Sequence, residues 1–234
     1  MLYVSLLIGI VLIVITTKFT QALPLTKSWM ILGQISAALV VIIVGKLDAS
    51  YFNLIYGNQI ELGYLTIPFS LLFIVGFTNV IHMEKMHNHL ILLLPCISLI
   101  SLSITAFILG YSFVTITGIC ASFMILLILL YGCFSGKVFV GRTMSTTIGF
   151  IIAVLSLSIK TVYIPIFTLA LPFVLYYLIQ NKFTNVQSLT ISSLMAIIFS
   201  ALMYVVPYSN LWYFVVGLTV ILAITQLISR YRFI

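Results

Sequence analysis

The sequence predicts an all-α membrane protein, a polytopic helical bundle of about nine transmembrane helices, and three observations carry that prediction. Apolar residues fill 63% of the 234 positions and charged ones 6%, a ratio that a soluble domain of this size does not sustain around one core. The apolar residues fall into runs that are mostly long enough to cross about 30 Å of hydrocarbon as helices. The ten Lys and Arg divide unequally between alternate connections, as the orientation rule for membrane proteins requires.

Taken in order, the first run goes from Leu2 to Ile15 and on to Thr17. No basic segment precedes it and no small-residue cleavage site follows, so it reads as a span and not as a cleaved leader. At about 16 residues it is short, and it is expected to pack behind longer neighbours. Further spans are expected at Trp29 to Gly45, Gly63 to Ile81, Leu90 to Leu109, Ser112 to Phe134, Thr147 to Ile159, Val162 to Ile179, Leu189 to Val206 and Leu211 to Ser229. The Thr147 to Ile159 run is the weakest of them. It is barely long enough and Lys160 follows it directly, which allows for a hairpin buried within the bundle.

With these spans, Lys18, Lys27, Lys85, Lys137, Arg142, Lys182, Arg230 and Arg232 share one side and only Lys46 and Lys160 take the other. That partition places the N-terminus outside, the C-terminus in the cytoplasm and the polar loop from His82 to His89 on the cytoplasmic side. The net charge of +7 is thereby explained by topology, and nucleic acid is not an expected partner. Trp29, Tyr64, Tyr111, Tyr204, Tyr208, Trp212 and Tyr213 fall near span ends as interfacial anchors. Pro68, Pro95, Pro165 and Pro172 lie inside spans or at their starts, where neighbouring helices absorb a kink. Gly132 and Gly136 have small-xxx-small spacing. Cys96, Cys120 and Cys133 lie in apolar surroundings without paired spacing, which points to packing. No repeat or linker divides the chain, so residues 1–234 read as one integral membrane domain.

The densest polar stretch follows the third span, with Thr78, Asn79, His82, Glu84, Lys85, His87, Asn88 and His89 in close succession. The three histidines match no metal signature and read as solvated loop residues. Thr78 and Asn79, near a helix end, are expected either to bond back to their own helix or to meet a lipid headgroup.

Two blocks here resemble a known family. The run from Glu61, Glu-Leu-Gly-Tyr-Leu-Thr-Ile-Pro-Phe-Ser-Leu-Leu-Phe-Ile-Val-Gly-Phe-Thr-Asn-Val-Ile, is similar to the span of the polyprenyl-phosphate N-acetylhexosamine-1-phosphate transferases (the MraY, WecA and TagO group, with the TagO branch closest) that ends in Thr-Asn-Ala-Ile-Asn-Leu-Ile-Asp-Gly-Leu-Asp. The run from Phe134, Phe-Ser-Gly-Lys-Val-Phe-Val-Gly-Arg-Thr-Met-Ser-Thr-Thr-Ile-Gly-Phe, resembles the family's Pro-Ala-Lys-Ile-Phe-Met-Gly-Asp-Thr-Gly-Ser loop and the helix after it. Gly33-Gln34 is similar to the start of the helix that follows the family's Asp-Asp pair. The family's first two spans and its His-x-His loop have no counterpart in this sequence.

The resemblance implies transfer of a sugar phosphate to a lipid phosphate, with Mg²⁺ held by carboxylates. At the family's acid positions this chain carries Thr16 and Thr17, Lys85 and Asn88, and Arg142. Two of those replacements put fixed positive charge where a divalent cation would sit. The expectation is therefore a degenerate relative with no catalytic residues, no metal and no cofactor. Its best candidate site is a lipid-phosphate pocket of Lys85, Lys137 and Arg142 with Thr78 and Asn79 at the edge. The expected role is a noncatalytic subunit or regulator of envelope glycan synthesis in a bacterial cytoplasmic membrane, bound to polyprenyl phosphate and to a membrane protein partner or a second copy. An active transferase is the first alternative. A small transporter is the second, although the spans show little of the mid-membrane polarity or helix breaks it would need.

Overall fold

The computed structural model describes residues 1–22, 27–47, 51–53, 59–61, 63–80, 87–135, 139–180 and 183–205. Eight helices account for most of them. They are α1 (Leu2–Ala22), α2 (Lys27–Ile43), α3 (Thr66–Val80), α4 (Leu93–Ile108), α5 (Ser112–Ser135), α6 (Arg142–Ser158), α7 (Tyr163–Ile179) and α8 (Asn185–Val205). Among the described residues, five helical segments are long and apolar enough to cross a membrane, namely Leu2–Ala22, Gly63–Val80, His89–Ile108, Ser112–Ser135 and Asn185–Tyr204. The run expected at Leu211 to Ser229 lies outside the described residues. Two short antiparallel ladders also form, β1 (Tyr51–Asn53) with β2 (Gln59–Glu61) and β3 (His87–Asn88) with β4 (Phe139–Val140), which an all-α reading did not anticipate.

Glycines set the helix register where backbones meet. A Cβ on Gly33 would run into the side chain of Thr16, and one on Gly45 into Ser5 Oγ, so α2 lies antiparallel along α1. Gly118 against Ser103 and Gly132 against His89 do the same for α5 along α4. Gly149 meets the backbone of Phe77 and Thr78, fixing α6 on α3, and Gly9 takes the ring of Phe150. Without a hydrophobic drive between helices in lipid, such close packing is a main source of their cohesion. Of those five segments, His89–Ile108 is the most enclosed.

Three expectations change at this level. The first helix is 21 residues long and not short, because Thr16 and Thr20 return their hydroxyl protons to the backbone one turn back and let the helix run past Lys18. The weak run at Thr147 is the inner part of a 17-residue helix that begins at Arg142. Its polar first turn stays helical because the hydroxyls of Ser145, Thr146 and Thr147 bond to carbonyls three or four residues earlier. Likewise α8 starts at Asn185 and not at Leu189, because Thr184 and Gln187 form a reciprocal capping box.

The α4–α7–α8 region is more polar and more irregular than its sequence suggested. Between Pro165 and Pro172, Ile166–Ala170 forms a π turn. Thr168 Oγ1 in that turn lies 3.0 Å from Ser98 Oγ on α4. Ser200 Oγ donates to Ser101 Oγ at 3.0 Å, and Tyr204 donates to the Ser101 carbonyl at 2.9 Å. Tyr204, expected only as an interfacial anchor, thus ties α8 to α4. Pro68 and Pro95 each occupy the third position of their helix, where no intrahelical N–H donor is needed.

Candidate functional site

The two polar loops singled out in the sequence do come together. His87 pairs with Val140 and Asn88 with Phe139, so the chain after α3 and the chain before α6 share a two-residue ladder. Lys85 and Lys137 lie outside the described residues. The ladder that flanks both of them leads through Gly141 straight into Arg142, the first residue of α6.

No side chain caps the start of α6. Its first-turn N–H groups have no acceptor within the helix, and they form the positive end of the helix dipole. Arg142 is half-buried, and its Nε is enclosed without a hydrogen-bond partner. The fully buried hydroxyl of Thr17 is likewise unpartnered. Gly9 of α1 packs on Phe150 of α6, and about 12 Å along each helix from that contact lie Thr17 and Arg142, at the same end of the bundle. Two buried, unpartnered donors, one of them on a fixed cation, thus lie at the same end of the bundle.

Thr78 and Asn79 are engaged inside the protein. The Thr78 hydroxyl is fully buried and donates to the Ile74 carbonyl at 2.6 Å, which realises the local bond among the two expected alternatives. Asn79 Nδ2 donates to Gln34 Oε1 at 2.8 Å and to the Val75 carbonyl at 2.8 Å, while Gln34 Nε2 returns a bond to Asn79 Oδ1 at 3.3 Å. This reciprocal amide pair fastens α2 to α3. In the sequence Gln34 stands out only as part of the Gly33-Gln34 similarity, which carries no role for it. The signal available was an amide in the apolar run of each of two consecutive spans.

His89 corrects another expectation. It is 7% exposed, not a solvated loop residue, because its ring fills the space that Gly132 leaves on α5, and its Nε2 is 3.7 Å from Cys133 Sγ. Gly132 therefore serves contact within the chain. Cys96 is buried as packing requires, whereas Cys120 and Cys133 are exposed on the outer face of α5, where hydrocarbon accepts a thiol without cost. The side chains of His82 and His87 are outside the described residues.

A divalent cation does not suit this donor set. Thr16 is bonded to its own backbone, the Gln34 and Asn79 amides hold each other, and Arg142 is cationic. Mg²⁺ demands anionic or carbonyl oxygens in near-octahedral order, and a guanidinium in their place repels it.

Apolar spans around a half-buried arginine and a paired-loop entrance define a multi-pass membrane protein with a candidate anion site at one end of its bundle. The family model for glycosyl transferase family 4 matches residues 3–160, which takes in α1 to α6 and every residue of the candidate site. The chain belongs to that family, and so is a sugar-phosphate transferase-like membrane protein. No curated protein matches it significantly.

Proposed function

We propose that this is a noncatalytic member of its family, which binds a lipid phosphate without metal in polyprenyl-linked envelope glycan synthesis and acts there through a membrane partner or a second copy. The reading assumes nine spans, with the N-terminus outside and the site facing the cytoplasm of a bacterial cell, as the charge partition favours. The observation that carries it is Arg142, a cation with an unpartnered buried Nε at an uncapped helix start, where the family's pattern has an aspartate. A phosphate that needs Mg²⁺ as a bridge to carboxylates binds directly to a guanidinium and to first-turn N–H groups. Lys85 and Lys137 add charge from the paired loops. Thr78 and Asn79 shape the apolar edge, holding α3 in place against α6 and α2. Without carboxylates at the family's acid positions the chain lacks the positioning and charge neutralisation that supply most of the rate in phosphoryl transfer. Purified protein given a UDP-sugar, undecaprenyl phosphate and Mg²⁺ or Mn²⁺ is therefore expected to yield no lipid-linked sugar. Turnover above background that a chelator abolishes would overturn this reading in favour of an active transferase.

One observation favours the second reading, a small transporter. The π turn in α7 and the hydroxyls of Ser98, Ser101, Thr168 and Ser200 give the bundle a polar, irregular interior layer of the kind that substrate pathways use. The same hydroxyls are bonded to one another, and that suits helix cohesion equally well.

A further inference from the structure

Of the three cysteines, Cys133 stands beside a base. Its Sγ lies 3.7 Å from Nε2 of His89, within reach of a hydrogen bond to sulfur. The pair is a product of the packing of α5 on α4. A Cβ on Gly132 would collide with the His89 ring, so the glycine lets the buried imidazole sit against α5 with its Nε2 at the neighbouring Cys133. Cys133 itself is exposed, and Leu126 and Leu130, which share its face of α5, are exposed with it.

Depth separates this thiol from the other exposed one on the same helix. At 24 residues α5 is about 36 Å long, which exceeds a hydrocarbon core of about 30 Å. Cys133 belongs to the last turn, at the level where apolar chains end and headgroups begin, whereas Cys120 lies about 20 Å away along the helix, within hydrocarbon. The thiolate is the nucleophilic form of cysteine, and an imidazole within hydrogen-bond reach activates the thiol as its general base. A nucleophile with a base, open to lipid at headgroup depth, suits an electrophile that carries a polar carbonyl at the end of a long apolar chain. We propose that Cys133 is a site of S-acylation, which takes the acyl group of a long-chain acyl thioester with His89 as general base. In the tautomer whose proton is on Nδ1, His89 takes the Sγ proton through Nε2 while Sγ bonds to the acyl carbonyl carbon. The bond from that carbon to the donor's sulfur then breaks, and the departing sulfur takes the proton from His89. The products are an acylated Cys133 and the free donor thiol. The attached chain lies along Leu130 and Leu126. It adds a lipid anchor at the same end of the bundle as Arg142, since His89 directly follows the strand that pairs with Phe139 and Val140. The inference stands apart from the lipid-phosphate reading, because it uses none of the residues of that site.

The test is incubation of the purified full chain in lipid nanodiscs with an alkynyl long-chain acyl-coenzyme A, the adducts being mapped by mass spectrometry before and after hydroxylamine, which cleaves thioesters. A hydroxylamine-labile adduct is expected on Cys133, formed at least about tenfold faster than on Cys120, a comparison within the wild type that needs no variant. In His89→Gln, checked for an unchanged elution profile, labelling of Cys133 should fall at least about tenfold, and Cys133→Ser should lose it. Acetyl-coenzyme A, which lacks the long chain, should label Cys133 poorly. Equal labelling of Cys120 and Cys133, or a rate at Cys133 unchanged in His89→Gln, would overturn the role of the base. Efficient labelling by acetyl-coenzyme A would overturn the long-chain donor, and absence of any hydroxylamine-labile adduct on Cys133 would overturn the site.

Discussion

The side-chain amide of Asn79 donates twice and accepts once within the protein, and its partner Gln34 is fully buried, so removal of either amide leaves the other partly unpaired. An unsatisfied buried polar group costs about 1–3 kcal/mol, whereas removing both partners together costs less than the sum. Gln34→Ala and Asn79→Ala are therefore expected to lower the unfolding temperature individually, and a double-mutant cycle in detergent should return a coupling of about 0.6–1.7 kcal/mol, the range typical of interhelical bonds in membranes. A coupling near zero would mean that the two amides do not share a bond. Asn79 is legible in the sequence and its partner is not, because residues 45 positions apart meet only through the packing of α2 on α3. The place of His89 is hidden for the same reason. Its burial depends on the absence of a side chain at Gly132, and nothing in the local pattern of the loop reports that.

At the scale of elements, α2, α4 and α6 all end in the same way. Lys46, Gly110 and Lys160 take positive φ, and the next N–H reaches back to the carbonyl five residues earlier, from Leu47 to Ile42, Tyr111 to Ala106 and Thr161 to Ser156. Glycine meets that conformation freely at one of the three sites, while a lysine in it carries strain of about 1–2 kcal/mol. Lys46→Gly is accordingly expected to raise the unfolding temperature by about 2–4 °C, read by thermal denaturation in detergent, and a lower temperature would mean that the lysine side chain contributes more than its backbone costs. The existence and order of the eight described helices were legible because hydropathy in a membrane protein is a strong signal over each run. Their ends were less so. Apolar counting set α6 and α8 four or five residues too late, since hydroxyls that bond back to the helix and a Thr184–Gln187 capping box carry helix into polar sequence.

For the whole molecule, the bundle buries its glycine contacts and its hydroxyl layer inside and leaves the outer faces of α1 and α5 apolar. On the proposed reading, a chain made chiefly of apolar helices meets a protein partner within the membrane. Crosslinking in native membranes is thus expected to trap a specific membrane protein or a second copy, and recovery of monomer alone would favour the transporter reading. Of the candidate site, the two polar loops were legible in the sequence, and the β3–β4 pairing joins the stretch after α3 to the stretch before α6. The orphaned donors at Thr17 and Arg142 were not readable, since they follow from which atoms the packed helices enclose. The central claim is that this end of the bundle holds a phosphate by cations in place of metal. It is tested most directly by native mass spectrometry of the protein with polyprenyl phosphate in the presence of a chelator. The account predicts that the wild type retains the lipid, that added salt weakens it, and that Arg142→Ala loses at least about tenfold in affinity, the equivalent of one charge-assisted contact of about 1.5–3 kcal/mol. Retention that requires Mg²⁺, or that is equal in the wild type, Arg142→Ala and Lys85→Ala, would contradict it.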